Sequence, residues 1–242
     1  IKQVKKEFGK NSVLGKRRTE FSDAPVAQVV SIEAFVEKEP ITILCSKMGW
    51  IKALKGHIED LSAVKYKDGD EARFVLSGYT TDKLIVFTSD GKFFTIGCNL
   101  LTGGKGHGEP LNLLVDMQQN SKIVNLFIYN SEDKLLLSSN SGRGFITETK
   151  DVLAQTKNGK QVLNVSDEEA VICKKVVGDH VAIIGQNRKM VIFPIDEIPQ
   201  MKKGRGVILQ RYKMGGVSDL KTFNLQDGLS WSSKKRTRLE QN

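Results

Sequence analysis

Cysteine is scarce in this chain of 242 residues, and the three that occur, Cys45, Cys98 and Cys173, lie far apart among apolar neighbours. An odd number of widely spaced cysteines excludes a disulfide framework and indicates small core residues. Histidine is equally rare, with three residues. The few histidines and cysteines do not form the closely spaced ligand pairs of a zinc site. We expect no metal and no other cofactor in this chain.

Long apolar runs and catalytic motifs are also absent. No stretch approaches the roughly 18 apolar residues that cross a bilayer, and no secretory leader opens the sequence, so we expect an intracellular protein without a transmembrane segment. Neither a Gly-x-Ser-x-Gly nor a His-Glu-x-x-His motif occurs. The glycine-rich run at residues 103–108 lacks the spacing of a phosphate-binding loop, and Gly106 follows Lys105 where that loop needs serine or threonine. The chain is not expected to be an enzyme by itself.

A repeat is the main feature that is present. Five times an apolar run enters a polar turn and continues into a second apolar run, at residues 44–52, 84–96, 135–147, 181–193 and 223–231. The second turn residues are 49, 91, 142, 188 and 228, so subtraction gives periods of 42, 51, 46 and 40 residues. Such periods are typical of propeller-like arrays, and turns of the Asp-Gly kind favour hairpins. The repeat predicts an all-β fold of five hairpin-centred sheets, although a β-sandwich would share its strand content.

Positive charge is the second strong feature. The net charge is +9, which favours an acidic polymer as partner. Glycine and basic residues recur after the hairpins, at residues 103–108, 157–160 and 202–206, and residues 185–215 hold seven basic against two acidic side chains. If the units stack in one orientation, these connections form a cationic track along one rim, where glycine amides approach phosphates closely. Solvated turns made soluble by lysine are the alternative.

The sequence predicts that basic residues on or near these connections contact a phosphate backbone. The predicted DNA contacts are Lys52, Lys55, His57, Lys92, Lys105, His107, Arg143, Lys157, Lys160, Arg188, Lys189, Lys202, Lys203, Arg205, Arg211 and Lys213.

Three runs, at residues 48–52, 81–92 and 204–210, resemble blades of the C-terminal domain of bacterial type IIA topoisomerase A subunits. The resemblance covers nearly the whole chain, and residues 17–20 match the arginine-rich entry strand of that family. It implies a five-bladed β-pinwheel, which is a propeller-like fold whose blades exchange strands, with each blade taking an edge strand from the unit before it. The implied domains are a short, helical connector from the catalytic core at 1–16, the DNA-binding pinwheel at 17–232 and a basic tail at 233–242.

Two branches of this family differ in one loop. Gyrase A subunits carry a Gln-Arg-Arg-Gly-Gly-Lys-Gly box after the first blade hairpin, whereas only residues 54–57 occupy that place here. The nearest similar run, residues 102–106, lies in the second unit and lacks the two arginines. The missing box favours the topoisomerase IV branch of the family. The count of five units, instead of the six usual in gyrase, favours the same branch. A gyrase domain that wraps DNA for negative supercoiling stays the alternative.

The resemblance implies a non-catalytic domain that binds and bends duplex DNA, guiding it for ATP-dependent decatenation and relaxation in chromosome segregation. ATP and Mg would act on other domains or subunits of the parent enzyme. The implied partners are double-stranded DNA, the catalytic core of the same polypeptide, and an ATPase B subunit in an A2B2 heterotetramer. The implied location is cytoplasmic and nucleoid-associated, with a peripheral position of the parent enzyme at the inner membrane left open. A propeller scaffold that binds acidic proteins is the alternative of another class, and it predicts exposed apolar anchors beside the charge.

Overall fold

The chain divides into two compact units, Ile1–Phe35 and Val36–Asn242, in a computed structural model that describes residues 1–16, 36–62, 64–104, 106–166, 168–233 and 236–240. In the first unit, helix α1 (Lys2–Phe8) lies in the segment predicted as a helical connector. The predicted entry strand at residues 17–20 lies outside the described residues.

Short antiparallel strands build the second unit. Two single-turn helices, α2 (Leu111–Leu114) and α3 (Thr149–Val152), lie between strands, as do 3-10 turns at Cys98–Leu100 and Ile195–Glu197. The strands are β1 (Pro40–Ser46), β2 (Trp50–Lys55), β3 (Ala72–Tyr79), β4 (Lys83–Thr88), β5 (Lys92–Gly97), β6 (Glu109–Pro110), β7 (Ile123–Ile128), β8 (Lys134–Ser139), β9 (Arg143–Glu148), β10 (Lys160–Gln161), β11 (Ala170–Lys175), β12 (His180–Gly185), β13 (Met190–Pro194), β14 (Val207–Ile208), β15 (Val217–Phe223), β16 (Leu229–Ser233) and β17 (Arg236–Glu240).

These strands form five small sheets, which we number 1 to 5 along the chain. Their strand orders are β3-β1-β2-β6, β10-β5-β4-β7, β11-β8-β9-β14, β13-β12-β15 and β16-β17. Each sheet is centred on one hairpin, from β1-β2 in sheet 1 to β16-β17 in sheet 5. The prediction of five hairpin-centred sheets is therefore confirmed.

The position of the fifth hairpin differs from the prediction. The turn at Asp227 and Gly228 does not close a hairpin, because β15 before it pairs with β12 in sheet 4 and β16 after it pairs with β17. The turn instead links two sheets, as Gly178 does between β11 and β12, and both glycines have φ near the left-handed value, 74° and 80°. Residues 236–240, assigned above to a basic tail, form the second strand of sheet 5.

Strand exchange between units is present, and its direction corrects the expectation. The last strand of sheet 1 is β6, which lies in the connection after the second hairpin and pairs with β2. In the same way β10 follows the third hairpin and pairs with β5, and β14 follows the fourth and pairs with β9. Each of these sheets therefore receives its edge strand from the unit that follows it, not from the unit before.

The apolar core consists of clusters between neighbouring sheets. On β4, Leu84 and Val86 point into the cluster shared with sheet 1, whereas Ile85 and Phe87 point into the cluster shared with sheet 3. Both faces of this strand are buried because side chains alternate across a sheet. A third cluster joins sheet 3 to sheet 4. All three cysteines lie in the first two clusters, as predicted for small core residues.

One edge of each of the first four sheets lies against its neighbours. Strands β3, β7, β11 and β15 end their sheets on one side and contact one another in sequence, β3 with β7, β7 with β11 and β11 with β15. Side chains bridge them, since the Asn125 amide donates to the Cys173 carbonyl at 2.7 Å and Lys174 pairs with Asp219 at 2.5 Å. We call this side the inner edge. The opposite ends of sheets 1 to 3, at β6, β10 and β14, are then the outer edge.

Candidate nucleic-acid interface

The three glycine-rich basic connections lie along the outer edge. Each contains a glycine with positive φ directly before its edge strand: Gly108 (89°), Gly159 (73°) and Gly206 (77°). A Cβ atom at these positions would lie 2.3 Å from the Ile51 carbonyl oxygen, 2.7 Å from the Phe94 ring and 2.3 Å from the Gly144 carbonyl oxygen, respectively. Glycine is needed here because only its bare Cα fits against the neighbouring sheet in this conformation.

Hydrogen bonds link successive connections, directly or through the residues that follow them. The amide of Asp116, which follows the first connection beyond α2, donates to the Lys157 carbonyl of the second connection at 2.9 Å. The second and third are joined twice, since the Asn164 amide donates to the Gly204 carbonyl at 2.8 Å and the Gly204 amide donates to the Val162 carbonyl at 2.9 Å. The segments at residues 102–116, 155–164 and 201–208 are thus linked in this order, and we call them together the outer strip.

Most of the predicted contact residues within the strip are exposed to solvent. Lys203 has no ion pair with any described residue, and neither has Lys157 or Lys160. Lys202 lies 3.5 Å from an Asp151 carboxylate oxygen and keeps 84% of its side chain exposed. His107 is exposed as well, and Lys105 lies outside the described residues. The strip therefore presents several ammonium groups that lack a counter-charge among the described residues.

Arg205 is held more firmly than the lysines. Its guanidinium donates to a Glu168 carboxylate oxygen at 2.7 Å, and the Glu168 side chain is only 15% exposed. Burial acts to raise the pKa of Glu168, but hydrogen bonds from Ser141, Arg205 and Ser139 hold that pKa below its ordinary value. The carboxylate is thus charged at neutral pH and anchors the third connection.

A second set of cations follows the hairpin tips. Lys92 and Arg143 are the first residues after the turn glycines of sheets 2 and 3; each is half-buried and pairs with the outer strip, Lys92 with Gln161 and Arg143 with Ile208. Lys189 has the equivalent place in sheet 4 and is exposed. The repeat thus brings a basic side chain to one register position of three sheets, and in sheets 2 and 3 this position pairs with the strip.

Arg188 occupies the hairpin tip of sheet 4 with φ 61°, and among the described residues it is the one non-glycine residue with positive φ. Its amide closes the turn on the Gly185 carbonyl at 2.9 Å, and its side chain is exposed. Arginine there bears a conformational cost that glycine would avoid. The predicted turn at Asn187 and Arg188 is confirmed.

Lys52 does not belong to the surface. Its side chain is buried, and its ammonium donates to the Lys65 carbonyl at 3.1 Å and to the Gly106 carbonyl at 2.9 Å. Burial lowers the pKa of this lysine. The residue ties two loops together, so its ammonium is not available to a phosphate, and we leave it out of the proposed contacts.

Four other predicted contacts lie away from the strip. Lys55 is 3.4 Å from a Glu39 carboxylate oxygen, and the His57 ring lies 3.1 Å from the Gly78 carbonyl oxygen. Two more, Arg211 and Lys213, are exposed in the segment between β14 and β15.

A basic group that the sequence reasoning missed lines a cleft of about 540 Å³ near the tip of the first hairpin. It consists of Lys47, Arg73 and Lys122, of which Lys47 pairs with Glu71 and Lys122 lies 3.7 Å from Glu169. These residues come from three separate segments, the turn after β1, strand β3 and the loop before β7, and none follows a turn glycine. Only the fold brings them together.

The described part of the chain contains neither a metal-ligand cluster nor a helix of membrane-spanning character. Within it, no cluster of three or more histidine, cysteine, aspartate or glutamate side chains could hold a metal ion. No helix there is long and apolar enough to cross a membrane.

Comparison with known proteins places the chain in a family. The model of the DNA gyrase C-terminal domain, a β-propeller, matches residues 133–172 and 179–216. The A subunit of DNA topoisomerase 4 from Rickettsia felis is 50% identical over 244 residues, which is 100% of this chain and 33% of that protein. The corresponding protein of Caulobacter vibrioides is 45% identical over 215 residues, covering 88% of this chain and 28% of that protein. The chain thus spans about a third of the length of these relatives.

Solved structures agree with these relatives. The E. coli ParC C-terminal domain aligns with a TM-score of 0.73 and 26% identity, covering 83% of this chain and 85% of that one. A DNA gyrase A C-terminal domain has the same kind of fold at a TM-score of 0.53 and 18% identity, covering 75% of this chain and 64% of that one. The chain belongs to the non-catalytic C-terminal domains of bacterial type IIA topoisomerase A subunits, on the topoisomerase IV branch of that family.

Proposed function

We propose that this domain binds duplex DNA along the outer strip and bends it, without reading its sequence. The observation that carries the proposal is that the three segments of the outer strip, each with a glycine-rich basic connection, are linked in order by the hydrogen bonds of Asp116, Asn164 and Gly204. Lysine ammonium groups without a counter-charge among the described residues attract phosphates and release counterions on binding. Such interactions position a duplex but do not distinguish bases.

Bending follows from the arrangement of the strip at the outer edge of successive sheets. A duplex that touches all three connections must follow the sheets from one to the next. Bending a site of 20–30 base pairs costs on the order of 1–6 kcal/mol, which several phosphate interactions offset. Arg188 and Lys189 extend the charged surface to sheet 4.

The role in the parent enzyme is part of the same proposal. A domain of this kind, beside the catalytic core of its own polypeptide, guides duplex DNA during ATP-dependent decatenation and relaxation and so serves chromosome segregation. ATP and Mg act on other domains and on the B subunit of an A2B2 assembly. Since only residues 54–57 stand where gyrase subunits carry their box, we do not expect chiral wrapping.

Neutralising lysines at the two edges tests the location of the DNA. The outer variant is Lys157→Gln with Lys160→Gln, and the matched inner variant is Lys174→Gln with Lys175→Gln, which removes the same charge from β11. We expect the outer variant to reduce the slope of log affinity against log salt by about 2, because each neutralised phosphate releases about one counterion. The inner variant should keep the slope. Equal reductions in both variants would mean that binding depends on net charge and not on the strip.

Ligation of a nicked circle distinguishes bending from wrapping. With the domain bound, simple bending leaves the linking number of the sealed circle unchanged. A positive shift would show wrapping and favour the gyrase alternative.

A further inference from the structure

The cleft near the tip of the first hairpin carries basic residues that the repeat does not require. In each of the first four sheets a backbone amide at the end of the hairpin's first strand donates to the carbonyl at the start of the inner-edge strand. These pairs, at 2.8 or 2.9 Å, are Lys47 to Glu71, Ser89 to Lys122, Asn140 to Glu169 and Gln186 to Gly216. Lys47 is the one basic residue among the four donors, and Lys122 is the one among the four acceptors.

Arg73 is the third such residue. The inner-edge strand has a β-bulge at the same place in these four sheets, where the register passes over one residue. The residues at the bulge are Arg73, Val124, Val171 and Ser218. A bulge re-aims a side chain and is frequent beside functional sites. Arg73 is exposed and forms no ion pair with any described residue, so its charge serves no structural contact of that kind.

The fold brings these three cations to one cleft. The cleft lies between the first hairpin tip and the segment at 117–123, and no carboxylate is among the described residues that line it. The next cleft along the repeat, of about 450 Å³ at the second hairpin tip, is lined by Asp90, Glu168 and Glu169, with no basic side chain among its described residues. Two clefts at the same place in the repeat thus have opposite charge. The framework does not explain the positive charge of the first, which indicates an anionic ligand.

The ion pairs at the rim of this cleft do not exclude a ligand. Lys47 pairs with Glu71, and Lys122 lies 3.7 Å from a Glu169 carboxylate oxygen. The side chains of both glutamates are more than half exposed, at 66% and 56%. Exposed ion pairs contribute little, because solvent screens them. Both ammonium groups are therefore available to a phosphate, which accepts stronger bonds, and the Arg73 guanidinium is suited to bind two phosphate oxygens at once.

The position of the cleft indicates which anion it binds. Pro110, Leu111 and Asn112 line one end of it and belong to the outer strip, whereas Arg73 lies on the inner-edge strand β3. The cleft therefore leads from the strip, past the first hairpin tip, towards the inner edge. A duplex that lies on the strip brings its phosphates to the end of this cleft.

We propose that Lys47, Arg73 and Lys122 form a second phosphate site, separate from the outer strip, which binds the backbone of the same duplex beyond the end of the strip at sheet 1. The site directs the duplex across the hairpin tips of sheets 1 and 2 and not onward around sheet 1. This inference rests on the proposed function, because it takes the DNA to lie on the strip.

A cleft variant, Arg73→Val with Lys122→Gln, tests the site. Valine is the residue that sheets 2 and 3 carry at the bulge, so we expect the variant to fold, and its melting temperature checks this. The probe is a mixed-sequence linear duplex that extends beyond the strip. The cleft variant should reduce the slope of log affinity against log salt by about 2. The inner variant, Lys174→Gln with Lys175→Gln, is the matched control, since it removes the same charge from another inner-edge strand, and it should keep the slope.

Hydrogen exchange locates the contact. The duplex should slow exchange at the amides of 118–123 in the wild type and not in the cleft variant, while it slows exchange at 155–163 in both. A reduced slope in the outer variant, Lys157→Gln with Lys160→Gln, together with an unchanged slope in the cleft variant, would overturn the site and leave the proposed function standing. The reverse pattern would support the site and contradict the strip.

Two other results would overturn the site. Equal reductions of the slope in the cleft and inner variants would mean that net charge alone explains the effect. A polyglutamate peptide that slows exchange at 118–123, where the duplex does not, would assign the cleft to an acidic protein segment instead of DNA.

Discussion

Replacing Arg188 by glycine is expected to make the protein more stable and its DNA binding weaker. The residue sits at φ 61°, while the turn residues Gly49, Gly91, Gly142 and Gly228 have φ between 74° and 85°. Arginine at this tip therefore holds a conformation that the other turns leave to glycine. Its guanidinium is exposed next to Lys189 on the charged surface. We expect that a contact of this group with DNA offsets the conformational cost of arginine at the tip.

The magnitude follows from two opposing effects. A non-glycine residue in the left-handed region costs roughly 1–2 kcal/mol, which Arg188→Gly relieves. Glycine also makes the unfolded chain more flexible, which costs about 0.4–1 kcal/mol. The net gain is about 0.5–1 kcal/mol, equivalent to a rise in melting temperature of roughly 1–4 °C for a domain of this size.

Thermal unfolding and duplex titration over a salt series measure the two effects separately. The glycine variant should melt higher and its salt slope should fall by about 1, the value for a single phosphate interaction. Arg188→Lys is the matched control, since it keeps both the charge and the strain, and it should change neither quantity. A glycine variant that melts no higher would refute the strain argument, and an unchanged slope would make Arg188 an ordinary turn residue.

Three further outcomes are expected. Gly159→Ala should lower the free energy of unfolding in urea by roughly 2 kcal/mol or more, because its Cβ would lie 2.7 Å from the Phe94 ring at φ 73°; an unchanged stability would show that the connection can move. Lys52→Met should cost about 1–3 kcal/mol by leaving two carbonyl groups without a donor, yet keep the salt slope of DNA binding; a reduced slope would return the residue to the interface. Glu168→Gln should remove the contribution of the Arg205 pair at neutral pH. The pKa of Glu168 is lowered in the fold, so this contribution exists above the ordinary carboxyl pKa of 4.5 and is lost as pH falls through the folded value. The difference in unfolding free energy between wild type and variant should therefore shrink as pH falls below 4.5, and a constant difference would contradict it.

The residue types at the turns predicted four of the five hairpins correctly. They placed the fifth hairpin at Asp227 and Gly228, whereas it is formed by β16 and β17. The same residue types make turns within a sheet and between sheets, because both need positive φ. Gly228 and Gly178 join sheets, whereas Gly91 closes a hairpin, and their φ values of 74°, 80° and 77° do not differ in kind. Only the pairing of β15 with β12 separates the two cases.

Strand exchange and the surface charges were predictable to different degrees. Strands β6, β10 and β14 have two residues each, too few for an alternating pattern, so the sequence could not indicate which sheet they join. Glycine and lysine marked the connections correctly, since Gly108, Gly159 and Gly206 lie against the neighbouring sheet. Lys52 is buried because its ammonium donates to two carbonyl groups from distant loops, and no local sequence pattern indicates these contacts.

The affinity of this chain for a mixed-sequence linear duplex across a salt series tests the central claim most directly. If the outer strip neutralises several phosphates, log affinity falls linearly with log salt, with a slope of about −0.9 for each phosphate and little dependence on sequence. Absence of duplex binding even at low salt would contradict the account and leave the protein-binding alternative.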